Sequence, residues 1–189
     1  AAGPGHAQGS RGQLAGGVYA ITGAAVLPMT SETVVENAVV VVRDGRIEAV
    51  GPSAKVKVPA GARRIDGRGK YLIPGLADSL GPHELGVMIA NGVTVARLMI
   101  GTPEHLRLRR EVEAGRLLGP HLWVASPQLA GKQYDNGVVV TTPANARAAV
   151  REAAGAGYDF IKLTMHISRP VYDAIVDEAA RRRIRVIGH

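Results

Sequence analysis

The last quarter of the chain decides the fold. Residues 142–189 read TPANARAAVREAAGAGYDFIKLTMHISRPVYDAIVDEAARRRIRVIGH. Thr142-Pro143 is typical of a helix start, because threonine caps the first turn and proline fits the first helical position. Helices and strands alternate from there: helix 144–154, strand 160–163, helix 169–182 with Ser168 as cap, and strand 184–187. This alternation indicates successive βα units and a parallel sheet.

The same alternation extends toward the amino terminus. A second threonine–proline pair, Thr102-Pro103, predicts another helix start. The predicted elements here are strand 72–77, helix 84–90, strand 93–98, helix 103–113 and strand 122–125. With the two later strands they make five parallel strands. The connection over 126–141 has no helical period, and such long loops are often functional.

The residues before this α/β part have a β pattern. Runs rich in β-branched residues cover 18–27, 34–42 and 47–50, and Asp44-Gly45 between two of them predicts a hairpin. We therefore predict a small β layer over 18–73 and an α/β part over 74–189.

Residues 1–17 are nearly all small or polar, which predicts a flexible tail. Within this tail, residues 5–8 (GHAQ) are similar to the end of a secretory signal, although no apolar stretch precedes them. This favours a periplasmic or secreted location over a cytoplasmic one.

The composition excludes several classes of protein. The chain has no cysteine, which removes disulfide scaffolds, thiolate metal sites and cysteine nucleophiles. It has no apolar run of about 20 residues, so we expect no membrane span. The net charge is +7, but the arginines are scattered over predicted helices and aromatic residues make up only 4%. We therefore expect no nucleic-acid partner.

Two residues at strand ends carry the strongest chemical signal. In a parallel βα array, the loops after the carboxyl ends of the strands form the active face. Lys162 lies inside an apolar strand, so it is paired, neutral or modified, or it reaches solvent from the strand end. His189 follows the next strand, as a metal ligand or as a structural residue. Their positions on consecutive strands predict a shared site.

Two further histidines lie in sequence near this active face. His166 follows the fourth strand, either as a substrate contact or as a solvent-exposed loop residue. His83 lies beyond Asp78 and the first strand, either as a substrate contact or as a polar residue that opens the next helix. His121 precedes its strand, so we expect it at the opposite, stability face of the βα array, where the strands begin.

Five motifs in this order resemble the N-terminal part of the amidohydrolase superfamily, in its imidazolonepropionase-like or prolidase-like branch. They are residues 41–51 (VVRDGRIEAVG), 65–78 (IDGRGKYLIPGLAD), 90–94 (ANGVT), 158–162 (YDFIK) and 186–189 (VIGH). Each motif alone is weak evidence, but jointly and in this order they are specific.

The resemblance implies an α/β fold in which a TIM-type (β/α)8 barrel lies beside a small β-sandwich. On this basis, residues 18–73 are part of the sandwich and residues 74–189 are a partial barrel of about five βα strands. It also implies one or two divalent metal ions, with zinc as the first choice, that activate a water molecule. The reaction is then hydrolysis of a C–N bond in an amide, cyclic amide or peptide, with a small-molecule or peptide substrate.

The resemblance also assigns roles to residues of this chain. Lys162 corresponds to the fourth-strand lysine, which in this subgroup is often carbamylated and bridges two metals. His189 corresponds to the fifth-strand metal ligand. The resemblance assigns no catalytic base to any residue of this chain.

The chain departs from the family pattern in two respects. The family has Asp-x-His-x-His-Leu after the first strand, whereas residues 78–83 read DSLGPH, so two metal-binding histidines are missing. The sequence also stops at His189, before the sixth-strand histidine and the eighth-strand aspartate of the family. We therefore expect the 189-residue chain alone to be inactive, with low metal occupancy.

Three interpretations follow. The favoured one is that the chain is part of a longer metal-dependent hydrolase, whose remainder supplies the missing groups. The second is an inactive half-barrel that self-associates as a homo-oligomer and binds no zinc. The third is a basic binding module, for which salt-dependent DNA binding would be the sign.

Overall fold

A computed structural model describes residues 17–79, 81 and 84–189. The predicted tail, apart from Gly17, and the candidate residue His83 therefore lie outside the described residues. The chain divides into two compact units, one that ends at Gly75 and one from Leu76 to His189.

The first unit contains one five-stranded sheet. Its strands are β1 (Val18–Val26), β2 (Val35–Arg43), β3 (Arg46–Pro52), β4 (Arg63–Asp66) and β5 (Tyr71–Leu72). The order is β3-β2-β1-β4, and β5 also pairs with β1. Asp44 and Gly45 join β2 to β3 with φ angles of 49° and 73°. A two-residue hairpin turn requires such positive φ angles, so the predicted hairpin is confirmed.

The predicted strand over 72–77 is wrong, because the structure divides it between two strands. Leu72 ends β5, and β6 begins only at Leu76. The residues between them have no regular structure. Pro74 has no N–H to donate to a neighbouring strand, so a central strand cannot continue through it.

The second unit alternates strands and helices. Its elements are β6 (Leu76–Asp78), α1 (Leu85–Ala90), β7 (Val93–Leu98), α2 (Pro103–Glu113), β8 (His121–Val124), β9 (Gln128–Ala130), β10 (Gly137–Val139), α3 (Pro143–Ala156), β11 (Phe160–Leu163), α4 (Arg169–Arg181) and β12 (Arg185–Gly188). Among these described residues, no helix is both long and apolar enough to cross a bilayer.

The strands of this unit form two parallel sheets joined by a bridge. One sheet has the order β6-β7-β8 and the other β10-β9-β11-β12. A parallel bridge between Ala125 and Phe160 connects β8 to β11. The connection over 126–141, which has no helical period, contributes β9 and β10.

The two threonine–proline helix starts are confirmed. The side chain of Thr102 accepts the backbone N–H of His105, and Nδ1 of His105 accepts the N–H of Thr102. Thr142 and Asn145 form the same reciprocal pair at the start of α3. Ser168 occupies the cap position of α4, but its side chain makes no capping hydrogen bond.

The strand side chains alternate between two faces of these sheets. One face packs into the core that α2, α3 and α4 cover, and its strand residues include Ala96, Leu98, Leu122, Val124, Ile161 and Leu163. The residues between them therefore lie on the opposite, inner face. On this inner face the rings of Trp123 and Phe160 are 6.0 Å apart, and those of His121 and Trp123 are 5.1 Å apart.

Candidate functional site

Lys162 is a buried lysine on the inner face. It lies on β11 between Ile161 and Leu163, which both pack into the helix-covered core. Only 4% of Lys162 is exposed. The alternative in which this lysine reaches bulk solvent from the strand end is therefore wrong.

A buried serine fixes the backbone at this point. The Ser126 hydroxyl accepts the Lys162 backbone N–H at 3.0 Å and donates to the Pro127 carbonyl at 2.8 Å. The Ser126 N–H in turn donates to the Phe160 carbonyl at 2.8 Å. Ser126 thus connects the end of β8 to both ends of the Phe160–Lys162 segment. Sequence analysis missed this residue, although a polar residue directly after an apolar strand could have indicated it.

Lys162 and His189 border the same cavity. The cavity has a volume of about 460 Å³ and is lined by Ser79, Gly81, Leu98, Met99, Ile100, Gln128, Lys162 and His189. The pairing of β11 with β12 explains this placement, since Leu163 is in register with Gly188. The volume lies in the range of small-molecule sites. The structure therefore brings these two predicted residues together at one cavity.

A second cation, Arg97, shapes the electrostatics of Lys162. Burial lowers the pKa of the Lys162 ammonium, and the positive charge of Arg97 lowers it further. The Nε atom of Arg97 is itself buried without a hydrogen-bond partner. The ion pairs found among the described residues include neither Arg97 nor Lys162. Sequence analysis missed Arg97, although it is a cation inside the apolar strand β7.

The other predicted residues do not join this cavity. His166 is exposed in the loop after β11 and is absent from the cavity lining. Its φ angle of 65° is in the left-handed region. Asp78 ends β6. His121 begins β8, at the amino end of that strand.

The described residues do not by themselves make a metal site. Over 17–79, 81 and 84–189, no group of three or more His, Asp or Glu side chains could hold a metal ion. Lys162 and His189 offer two donors, whereas zinc normally takes four ligands, of which the protein supplies at least three. The predicted metal therefore remains a prediction, with Lys162 and His189 as its candidate ligands.

A separate cavity of about 590 Å³ lies in the first unit. Its charged lining residues are Lys57, Arg64 and Arg68, and no histidine or carboxylate is among the lining side chains. Arg68 already pairs with Asp66 at 2.7 Å. We therefore take the cavity at Lys162 as the candidate functional site.

A curated protein with a similar sequence matches about a third of this chain. No family model matches it. A segment of 60 residues, 31% of this chain, is 47% identical to 14% of a 5-methylthioadenosine/S-adenosylhomocysteine deaminase from Symbiobacterium thermophilum.

Solved structures match nearly the whole chain. A candidate prolidase from Bifidobacterium longum has a TM-score of 0.76 and 30% identity, over 92% of this chain and 49% of its own length. Molinate hydrolase has a TM-score of 0.75 and 20% identity, over 92% of this chain and 54% of its own. At 20% identity, the likeness to molinate hydrolase shows a similar fold and nothing about function. The chain thus spans about half the length of the solved structures that it matches, and these are proteins of prolidase and amidohydrolase type, as the resemblance to the amidohydrolase superfamily predicted.

Proposed function

We propose that this chain forms the N-terminal half of a hydrolase that cleaves C–N bonds of amides, cyclic amides or peptides. The observation that carries the proposal is the 30% identity to a candidate prolidase over 92% of the chain. The matched proteins are described as hydrolases or as a deaminase, which supports a hydrolase of this broad class.

We also propose that the second unit is the first part of a (β/α)8 barrel. Its parallel strands β6, β7 and β8 are neighbours in chain order, and the bridge from Ala125 to Phe160 continues this order to β11 and β12. In such a barrel each strand lies beside the previous one. The cavity at Lys162 then opens at the carboxyl ends of the strands, where barrel enzymes have their active sites.

The residues of this chain have defined tasks in that proposal. Hydrolysis adds water to the carbonyl carbon, breaks the C–N bond and releases an acid and an amine. Lys162 provides a buried amine at a fixed position, because Ser126 holds its backbone. Burial and the positive charge of Arg97 lower the pKa of Lys162, so this amine loses its proton more easily than a free lysine does. A deprotonated amine can add CO₂ to form a carbamate and release a proton. The proposal contains no step at a metal, since the described residues do not complete a metal site.

The test is hydrolysis by the full-length gene product that contains this chain. We expect release of proline from dipeptides with a carboxyl-terminal proline, or of amine from simple N-acyl amino acids. Lys162→Met should lower kcat/KM by at least about 100-fold. Lys55→Ala changes an exposed lysine of the first unit and should leave the rate unchanged.

Two results would overturn the proposal. One is the absence of turnover on all C–N substrates, with and without added zinc. The other is full activity in Lys162→Met. Residues 1–189 alone should be inactive. If the full-length product shows no turnover and forms oligomers that contain no zinc, this would support the self-associating half-barrel instead.

A further inference from the structure

The cavity of the first unit has a lining that donates hydrogen bonds. Its volume of about 590 Å³ lies in the range of small-molecule sites. The lining side chains that carry a charge or a polar group are those of Thr22, Asn37, Ser53, Lys57, Arg64 and Arg68. Every one of these six side chains has at least one N–H or O–H donor, and the three charged ones are cations. A ligand that matches this lining is therefore an anion with several acceptor atoms.

The strand register brings Arg64 to this cavity. Arg64 of β4 is in register with Ala20 of β1. Two residues later on β1, Thr22 is in register with Val39 of β2. Residues two apart on a strand lie on the same face, as do residues in register on neighbouring strands. Arg64, Thr22 and Val39 therefore share one face of the sheet, and all three line the cavity.

The segment after β3, residues 53–58, brings Lys57 to the same cavity. The Ser53 N–H donates to the Asn37 carbonyl at 3.0 Å, and the side-chain amide of Asn37 donates to the Ser53 hydroxyl at 3.0 Å. These two hydrogen bonds hold the start of the segment against β2. Lys57 and the two valines on either side of it line the cavity from this segment.

Two of the three cations have no carboxylate partner among the described residues. Arg68 pairs with Asp66 at 2.7 Å. The ion pairs found over residues 17–79, 81 and 84–189 include neither Lys57 nor Arg64. Within this part of the chain, the positive charges of Lys57 and Arg64 are thus available to a ligand in the cavity.

The number of charges and donors selects the type of anion. A phosphate monoester carries close to two negative charges at neutral pH and has three strong acceptor oxygens, whereas a carboxylate carries one charge and has two oxygens. A guanidinium binds two phosphate oxygens at once, and an ammonium binds phosphate as a compact point charge. Two cations with adjacent hydroxyl donors therefore match a phosphate monoester better than a carboxylate.

We propose that this cavity binds the phosphate group of a small organic phosphate monoester. Lys57 and Arg64 contact the phosphate oxygens, with further hydrogen bonds from the hydroxyl groups of Thr22 and Ser53. The apolar lining residues Val39, Val56 and Val58 contact the organic part of the ligand. The site consists of residues of the first unit alone and takes no part in the proposed hydrolysis.

The experiment is isothermal titration calorimetry on the full-length gene product that contains this chain. The probes are phenyl phosphate, sodium benzoate and inorganic phosphate, at neutral pH and equal ionic strength. We expect saturable binding of phenyl phosphate and at least about tenfold weaker binding of benzoate, which has the same ring on a carboxylate. Inorganic phosphate should compete with phenyl phosphate but bind more weakly, because it lacks the apolar group.

Substitutions at the two available cations test where the phosphate binds. Arg64→Met and Lys57→Met should each weaken the binding of phenyl phosphate by about fivefold or more, since a charge-assisted hydrogen bond is lost. Arg63→Met and Lys55→Met are the matched controls and should bind like the wild type. Arg63 and Lys55 are exposed and lie on the same strand and the same segment, but they do not line the cavity.

Three results would overturn the proposal. The first is the absence of saturable binding of phenyl phosphate, and the second is binding of benzoate with equal affinity. The third is wild-type affinity for phenyl phosphate in both Arg64→Met and Lys57→Met, which would place the phosphate elsewhere on this basic protein. Equal affinity for inorganic phosphate and phenyl phosphate would overturn the role of the three valines. Since no C–N bond is cleaved in this test, its failure leaves the proposed hydrolase activity standing, and the reverse is also true.

Discussion

The Ser126 hydroxyl is the smallest group on which the geometry of the site depends. It is 1% exposed and accepts the N–H of Lys162, so its removal leaves a buried donor without a partner.

Lys162 could be found from the sequence because a charge inside an apolar strand needs an explanation. Arg97 on β7 gives the same signal, and Ser126 gives a weaker one. Their partners across the sheet, however, are fixed by strand order and register, which a single sequence does not contain.

Ser126→Ala is expected to lower the free energy of unfolding by about 1–3 kcal/mol, the cost of a buried unsatisfied N–H. The measurement is urea unfolding followed by circular dichroism. Ser168→Ala is the matched control, because the exposed Ser168 makes no side-chain capping bond and should change stability by less than about 0.5 kcal/mol. Equal effects of the two substitutions would contradict the structural role of Ser126.

At the level of elements, hydrogen bonds between residues close in sequence determine where the helices start, whereas pairing between residues distant in sequence determines where the strands form. The Thr102 and Thr142 caps need only residues within one turn, so the sequence predicts them. The three-residue strands β9 and β10 are too short to show an alternating pattern, and they exist because β9 pairs with β11. The same holds for the break at Pro74, which divides one predicted strand between two sheets.

The start of α2 should respond to pH through His105. Burial lowers the pKa of this histidine below its ordinary value of 6.5, although Glu104 partly opposes the shift. The unfolded chain therefore binds the proton more readily, and the contribution of His105 to stability is lost as pH falls through 6.5 toward the folded pKa. A protonated Nδ1 also no longer accepts the Thr102 N–H.

The test is His105→Asn, because Asn145 forms the same reciprocal cap on α3 without a titrating group. Urea unfolding of both proteins between neutral pH and mildly acidic pH should give a smaller loss of stability in the variant. Parallel pH profiles for the two proteins would show that the cap does not titrate in this range.

On the scale of the whole molecule, large apolar side chains remain at the surface of both units. Ile47 and Tyr71 are 69% and 77% exposed in the first unit, and Leu118 is 69% exposed in the second. Apolar side chains with this exposure gain free energy when another protein surface packs against them. The matched structures are about twice as long as this chain, so they hold further polypeptide that this chain does not contain.

We therefore expect the 189-residue chain to self-associate, so that the fraction of oligomer rises with the protein concentration. Sedimentation velocity over a wide concentration range should show a rising average mass that persists at high salt, because apolar contacts are not screened. A loss of association at high salt would instead assign it to the charges of this +7 chain. A single monomeric species at all concentrations would contradict the prediction.

The inner face of the sheet also carries an optical probe. Trp123 is the single tryptophan of the chain, in register with Arg97 and packed against Phe160. Indole emission responds to nearby charge, so the fluorescence of the unmodified protein reports on the surroundings of Arg97 and Lys162. Occupancy of the cavity can thus be followed by titration, without a label and without knowledge of the reaction.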